Sequence, residues 1–311
     1  MPKGIHTAGL AVLFERAPTL DALAGALHAF PVAKRLAPGP EKNWLGTGHP
    51  SLLLAMRPEV NGIIAAAVID APWPDSMGDP KTDSMLFGAW SMGFFGPFAY
   101  PEGLSRAVQH AYGWRQAPEA VARHGAFVRL TVSYVFGLGQ QAPVMPEGYS
   151  ARTELEYLTR VARAVLGMSG AVALFNPSGE VLRPRDQIEE LLSVHEEAGL
   201  LPLPVWSNVR MAKLGELPGW MLMDTVGMEQ LEVEDHEACF QCERFEAAEV
   251  ANFLRNTSEY ARQQGDVVKD GDTTDGPGGK WRGYHRQSLM VPPRRTLRWV
   301  PGDAEVPEEL K

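Results

Sequence analysis

The spacing of apolar residues along the chain predicts several amphipathic helices. Apolar positions recur every three or four residues after Thr19 and again after Ser150, and both of these residues are suited to cap a helix N-terminus. The same spacing follows Pro184 and ends at Gly199, a residue typical of helix C-termini. The predicted helices are residues 20–30, 101–114, 246–264 and the two segments that begin after Ser150 and Pro184.

Short apolar runs and alternating patterns predict strands between these helices. The strongest is residues 127–136, where large apolar residues alternate with more polar ones. Residues 52–56 and 63–69 are joined by a turn that contains Asn61 and Gly62, which indicates a hairpin. The other predicted strands are residues 10–14, 171–175, 205–211, 220–224 and 289–300.

Hairpins and strand–helix–strand units occur together in this order of elements. That mixture predicts an α+β fold with mixed or antiparallel sheets and packed helices, in which the chain forms two similar α/β halves. The 311 residues suffice for one large domain or for two of about 150 residues. We expect one compact unit over residues 1–311 and, if the chain divides, a seam at residues 137–150.

Composition narrows the classes of function. A net charge of −9 argues against general nucleic-acid binding, which needs clustered lysine and arginine, and it suits a basic protein partner. Two cysteines provide no disulfide framework, so we expect a reducing, cytoplasmic location. The first residues lack the long apolar run of a secretory signal. No cofactor is predicted.

Residues 85–100 carry no charge and are rich in aromatic side chains. The stretch is shorter than the ~20 residues that a membrane helix needs, and it contains glycines and a proline. Three interpretations remain open: packed core or a lid, a patch that binds a partner through Trp90, Phe94 and Phe95, and a membrane contact. We do not expect a membrane partner.

Several local motifs resemble catalytic or ligand-binding sequences but are incomplete. Residues 137–142 follow a dinucleotide-binding spacing, yet no helix opens directly after them to receive a pyrophosphate. Ser91 lies in a nucleophile-elbow-like sequence without helix-forming residues after it. Residues 270–275 contain three aspartates, but they depart from the calcium-loop pattern of an EF-hand, and turn chemistry explains them. These motifs give no complete catalytic set, which argues against an enzyme.

His236, Cys239 and Cys242 have a spacing that can surround a zinc ion. A closed site needs a fourth ligand, which the local sequence does not supply. The two thiols could instead be a redox pair or incidental reduced cysteines. The flanking Glu237 and Glu243 should raise a thiol pKa, which disfavours redox chemistry.

Thirteen acidic residues lie between residues 229 and 275, and six basic ones follow between 280 and 298. Neighbouring strands could pair these charges internally, at about 0.2–1 kcal/mol for each cross-strand pair. Alternatively, part of the acidic surface is free to capture a basic protein such as a nuclease toxin. With the aromatic patch, the candidate contacts of that surface are Glu229, Glu232, Glu234, Asp235, Asp270 and Asp272.

Four spaced elements in the last third of the chain form a recognisable series. A T-x-G-x-x-x-L-E-x-E sequence begins at Thr225, an amphipathic helix is predicted at 246–264, a D-G-D-T turn begins at Asp270, and an apolar-basic strand follows Ser288. Together they resemble the bacterial domain of unknown function 4261 family over residues 220–300. The resemblance implies a non-catalytic immunity or adaptor protein associated with a bacterial toxin or a type VI secretion system. The alternative is an enzyme or metal-binding protein with a site assembled around residues 236–272.

Overall fold

The computed structural model describes residues 4–40, 42–45, 48–138, 142–302 and 305–311. It confirms the α+β class, because helices pack on two sheets whose strands are almost all antiparallel. The chain forms two compact units, residues 1–206 and residues 207–311. The division therefore follows Trp206, and residues 137–150 belong to the first unit.

The first unit contains a seven-stranded antiparallel sheet with the strand order β2-β3-β4-β5-β1-β6-β7. Its strands are β1 (Ala8–Phe14), β2 (Val32–Leu36), β3 (Ser51–Arg57), β4 (Gly62–Ile69), β5 (Ala126–Ser133), β6 (Ala171–Asn176) and β7 (Val181–Arg183). Its helices are α1 (Leu20–Ala26), α2 (Ser84–Ser91), α3 (Gly103–Gln109), α4 (Ala117–Ala122), α5 (Ala151–Leu166), α6 (Arg185–Ala198) and α7 (Leu203–Trp206).

Helix α5 explains why residues 137–150 lie inside the first unit. The Ser150 hydroxyl accepts a hydrogen bond from the Thr153 amide and starts the helix, as predicted. The apolar face of α5 is buried through residues such as Leu155 and Leu158, and the helix contacts β1, β5 and β6. Because α5 packs back on the strand that precedes it, the elements on both sides of this connection belong to the first unit.

The opposite face of this sheet is covered by an aromatic core. Trp73, Trp90 and Phe95 are almost fully buried there, and the Trp90 and Phe95 ring centroids are 4.3 Å apart. Phe94 packs against the same core and is half-buried. Most of the uncharged stretch is therefore buried or half-buried in this core, and Met85, Ser91 and Met92 are its exposed residues. The predicted partner-binding patch was wrong for Trp90 and Phe95, because covering the second sheet face requires these large side chains.

The second unit contains a six-stranded sheet with the order β11-β12-β13-β10-β9-β8. Its strands are β8 (Asn208–Lys213), β9 (Trp220–Val226), β10 (Asp235–Gln241), β11 (Thr273–Gly276), β12 (Gly279–Gln287) and β13 (Arg295–Pro301). Helix α8 (Ala247–Gln264) lies between β10 and β11 in the sequence. Strands β10 and β13 pair in parallel, and the other neighbours are antiparallel.

The two faces of the second sheet have different cores. On one face, Phe253 and Leu254 of α8 pack with Trp281 and Trp299. On the other face, Cys239 and neighbouring apolar residues pack with the C-terminal segment that includes Leu310. Within the described ranges, the chain contains no helix that is both long enough and apolar enough to span a membrane.

Candidate functional site

The T-x-G signature forms a loop around the carboxylate of Asp235. That carboxylate accepts hydrogen bonds from the Thr225 hydroxyl (3.0 Å) and from the backbone amides of Gly227 (3.2 Å) and Met228 (2.9 Å). It also accepts one from Nε of Arg294 at 2.8 Å. Gly227 has φ +116°, a conformation that favours glycine. The signature therefore builds a structural turn around a buried acid.

A row of buried charges crosses the sheet beside this turn. Arg210 makes two bonds to Asp224 (3.0 and 2.6 Å), and Arg294 also donates to Asp224 at 2.6 Å. Arg298 donates to Glu237 at 3.0 Å. Burial raises the pKa of Glu237, and it also opposes the charge of Arg294, whose pKa is nevertheless raised by Asp235 and Asp224. With Asp235, this row holds three carboxylates and three guanidinium groups.

Three of the acids that the sequence placed on a partner-binding surface are paired with groups of the same chain: Asp235, Glu234 and the exposed Asp270. Asp235 is 1% exposed, so its prediction as a surface contact was wrong. Glu234 lies 2.7 Å from Nδ1 of His285 and also pairs with Arg295. Asp270 accepts from the His285 amide and from a neighbouring arginine. Glu229 is half-buried, whereas Glu232 and Asp272 are exposed.

His236, Cys239 and Cys242 do not converge on one point. His236 and Cys239 lie on opposite faces of β10: His236 contacts Trp299 of the α8-side core, and Cys239 packs in the other core. Cys242 is exposed beyond the strand. Burial raises the pKa of the Cys239 thiol to about 12. No group of three or more His, Cys, Asp and Glu side chains in the described ranges is placed to hold a metal ion.

The remaining sequence motifs also have local structural explanations. The hydroxyl of Ser91, the last residue of α2, donates to the Phe87 carbonyl at 2.9 Å. The carboxylate of Asp272 accepts from the Lys269 amide, and that of Asp275 pairs with Lys280. The dinucleotide-like spacing at 137–142 includes residues 139–141, which lie outside the described residues.

A groove of about 910 Å³ lies in the second unit between α8 and residues 267–277. The side chains of Glu249, Asn252, Asn256 and Tyr260 follow the i, i+3, i+4 spacing along one face of α8 and form one wall. All four are exposed. Sequence reasoning missed this groove, because its two walls are separated by a turn whose path the local pattern does not define.

The opposite wall and the floor of the groove have different chemistry. Phe253 and Trp299 form an apolar floor. Asp272 and the residues of β11 form the second wall. A Cβ atom on Gly276 would lie 2.5 Å from Cδ1 of Trp281 and 3.0 Å from Phe253, so this end of β11 needs a glycine to pack on the core.

Strand β11 is the edge of its sheet and pairs only with β12. In the part of the chain that the structure describes, its other backbone groups have no further backbone partner. An unpaired edge of this kind can accept an added strand from another chain. The groove therefore offers main-chain hydrogen bonds along one wall, polar side chains along the other and an apolar floor.

A smaller pocket of about 290 Å³ adjoins this groove and shares Val267 and Val268 with it. His285 borders it, with Nδ1 facing Glu234 and Nε2 lying 2.9 Å from the Val268 carbonyl. Burial lowers the pKa of His285, but these two acceptors outweigh it and raise the pKa above its ordinary value. With an acceptor at each ring nitrogen, His285 links the signature turn to the wall of the groove.

His236 lines the same small pocket but has the opposite electrostatic character. Its Nδ1 accepts from the Trp299 indole at 3.3 Å and lies 2.9 Å from the Thr257 hydroxyl. Burial, with a contribution from the charge of His285, lowers its pKa to about 3. His236 is therefore a neutral core histidine next to the groove floor.

Comparison with protein families confirms the resemblance in this part of the chain. A family model described as "Domain of unknown function (DUF4261)" matches residues 224–300. This segment contains the signature turn, α8, β11 and the groove between them. Comparisons with curated proteins and with solved structures give no match.

Proposed function

We propose that this protein binds another protein, without catalysis, through the groove between α8 and β11. The observation that carries the proposal is the edge strand β11 beside an apolar floor in a groove of about 910 Å³. A segment of a partner that adds to a sheet edge gains main-chain hydrogen bonds, and alternate side chains can then enter the groove. The groove lies within the segment that matches the family.

The charges around the groove favour a basic segment. Glu249, Asp272 and Asp275 are exposed carboxylates at its rim. Only Asp275 has an ion pair among the described residues, and its partner Lys280 is exposed, so that pair is weak. The net charge of −9 adds long-range attraction for a basic protein. These features support lysine- or arginine-rich segments as the partner.

The biological role that suits this mode of binding is an immunity or adaptor protein in the bacterial cytoplasm. A basic toxin or a component of a secretion system is the partner class that the family resemblance implies. Co-purification with the product of the neighbouring gene, weakened by added salt, is the expected result. Co-purification that is unaffected by substitutions in the groove would contradict the proposed surface.

Selection from a library of random displayed peptides tests the groove itself. We expect the selected peptides to be basic and extended, and to bind less tightly as ionic strength rises. Asn256→Arg places a positive charge and a larger side chain on the α8 wall, and it should abolish their binding. Asp272→Asn combined with Asp275→Asn should weaken it about tenfold or more.

A matched control is available in the first unit. Asp21 is a highly exposed acid on α1, paired with an exposed arginine. Asp21→Asn changes the net charge by one unit without altering the groove, so the selected peptides should bind this variant as they bind the wild type. If the selected peptides bound the Asn256→Arg variant with the same affinity as the wild type, they would not occupy the groove, and the proposed function would be contradicted.

A further inference from the structure

Arg129 lies in the middle of β5, near the centre of the seven-stranded sheet. Its direct neighbours on the adjacent strands are Ala11 of β1 and Ala67 of β4. Because both neighbours are small, the arginine side chain has room above this sheet face. The residue is 5% exposed, so its guanidinium is inside the first unit.

The contacts of Arg129 do not neutralise its charge. Nη1 donates to the Trp44 carbonyl at 2.9 Å, and Cζ lies 5.9 Å from the centre of the Phe95 ring. Across the described ranges, no carboxylate forms an ion pair with it. A guanidinium has five N–H donors, and burying one without an acid is costly. Burial lowers the pKa of Arg129 to about 10, so it remains charged at neutral pH.

Two buried histidines surround the same part of the core. Nε2 of His49 lies 3.0 Å from the Asn43 carbonyl, which is adjacent in the chain to the carbonyl bound by Arg129. The ring of His6 packs edge-on against Phe94 at 5.3 Å. Burial, together with the positive charge of Arg129, lowers the pKa of both histidines. Arg129 and the two histidines therefore all contact either the Asn43–Trp44 backbone or the Phe94–Phe95 pair.

Both histidines have an unused ring nitrogen. Nδ1 of His6 and Nδ1 of His49 are buried and have no hydrogen-bond partner within the described part of the chain. His49 contacts a carbonyl through Nε2, which must therefore carry the hydrogen, so its neutral Nδ1 is an acceptor. Such a nitrogen can accept the O–H of a hydrogen phosphate or of a carboxylic acid.

We propose that Arg129 anchors a buried binding site for a small oxyanion, either a phosphate or a carboxylate group, which His6 and His49 help to hold. The planar guanidinium matches two oxygens of such a group. A bound anion of either kind would compensate the arginine charge, and the O–H of a hydrogen phosphate would in addition satisfy an unused imidazole nitrogen. The site lies in the first unit and is independent of the groove.

The competing explanation is that Arg129 only holds the Asn43–Trp44 segment in place. One bond to a carbonyl and one aromatic contact are the contacts that such a role would use. It would leave the buried charge without an acid among the residues that the structure describes. The other buried arginines described above, Arg210, Arg294 and Arg298, each contact at least one buried carboxylate.

The test is a titration of the full-length protein with sodium phosphate and, separately, with sodium formate at constant ionic strength in chloride. We expect saturable 1:1 binding in a calorimeter and a matching rise in Tm for at least one anion. Preference for phosphate would identify a tetrahedral ligand group, and preference for formate a carboxylate. Arg129→Gln should lower the affinity about tenfold or more.

Two further variants test whether anion binding depends on the guanidinium of Arg129 rather than on positive charge in general. Arg129→Lys preserves the charge but not the two-pronged geometry, so it should bind the anion more weakly than the wild type while remaining folded. Arg152→Gln removes an exposed arginine of α5 and should bind as the wild type does. A wild-type protein that shows no saturable response to either anion, beyond that to chloride, would overturn the proposal.

Discussion

Arg129 in the first unit and Arg294 in the second are both almost fully buried, yet their surroundings differ. Arg294 contacts the carboxylates of Asp224 and Asp235, at 2.6 and 2.8 Å. Arg129 contacts one carbonyl oxygen. The segment that matches the family thus uses its acids to neutralise internal arginines, whereas the arginine on the central strand of the other unit pairs with no carboxylate of the described residues. A count of charges along the sequence does not distinguish these two situations.

The largest expected effect comes from Arg294→Met. Removing this guanidinium leaves Asp235 buried without its arginine and Asp224 with one arginine instead of two. We expect the free energy of unfolding to fall by about 3–5 kcal/mol, measured by urea denaturation. Arg295→Met is the matched control, because Arg295 is exposed and its pair with Glu234 should contribute less than about 1 kcal/mol. If both variants lost the same unfolding free energy, the buried pairs of Arg294 would contribute no more than the exposed pair of Arg295, which would contradict the expected difference.

Acid should destabilise both units through buried histidines, most strongly through His6 in the first unit and His236 in the second. Burial lowers the pKa of His6 and of His236 to about 3 in the folded protein, below the ordinary value of 6.5. The unfolded chain therefore binds these protons first, so stability is full above pH 6.5 and falls as pH decreases towards 3. We expect a loss of about 1 kcal/mol per pH unit for each histidine, from urea denaturation at a series of pH values.

Single substitutions distinguish the contributions of His6 and His236 to the loss of stability in acid. His6→Gln and His236→Gln should each reduce the acid dependence of the unfolding free energy. His28→Gln should leave it unchanged, because His28 is exposed on the surface of the first unit. An acid dependence that is identical in all three variants would show that other groups cause it.

Arg129→Met gives a smaller effect than Arg294→Met and tests the contrast directly. The substitution removes a bond to a carbonyl, worth about 1 kcal/mol, but it also removes a buried charge that pairs with no acid in the described ranges. In chloride buffer without phosphate or carboxylates, we expect the unfolding free energy to stay within about 1 kcal/mol of the wild type. A loss of about 3–5 kcal/mol would mean that the charge of Arg129 is already compensated in the folded protein.

The smallest effect comes from His285. Its contribution to stability falls as pH rises, opposite to the contributions of His6 and His236. Its folded pKa lies above 6.5, so its contribution is fully present below pH 6.5 and is lost as pH rises through the folded pKa. We expect His285→Gln to remove less than about 1 kcal/mol at pH 6 and still less at pH 8. Denaturation at these two pH values checks this, and a larger loss at pH 8 would contradict it.

Sequence patterns correctly predicted the helix ends and turns that are determined by one or two neighbouring residues. The Ser150 cap, the helix end at Gly199 (φ +65°) and the left-handed Asn61 (φ 58°) of the β3–β4 turn all occur as the sequence indicates. In each case, one side chain or one glycine determines the backbone conformation. The structure places α8 within one residue of the predicted start.

Elements that depend on distant partners were not predicted. Strand β10 contains Asp235 and Glu237, which look like surface residues until Arg294 and Arg298 arrive from elsewhere in the chain. The predicted last strand begins six residues later than expected, at Arg295, because the consecutive prolines at 292 and 293 have no amide hydrogens for a sheet. The strands β2 and β7, the helix α4 and the β11–β12 hairpin also went unpredicted.

The candidate site was predictable only in its general location. The sequence identified the segment around residues 220–300 and an acidic character, but it assigned Asp235 to the surface and missed Glu249 and the wall of α8. Which acids remain exposed depends on which arginines fold against them. That information lies in tertiary contacts such as the one between Arg294 and Asp224, two residues that are 70 positions apart in the chain.

The short edge strand β11 also affects how copies of this protein meet one another. Two such edges that approached in antiparallel fashion would bring the carboxylates of Asp272 and Asp275 of one molecule near those of the other. Like charges at that distance repel, so the acids that would attract a basic ligand also discourage self-association into ordered fibres.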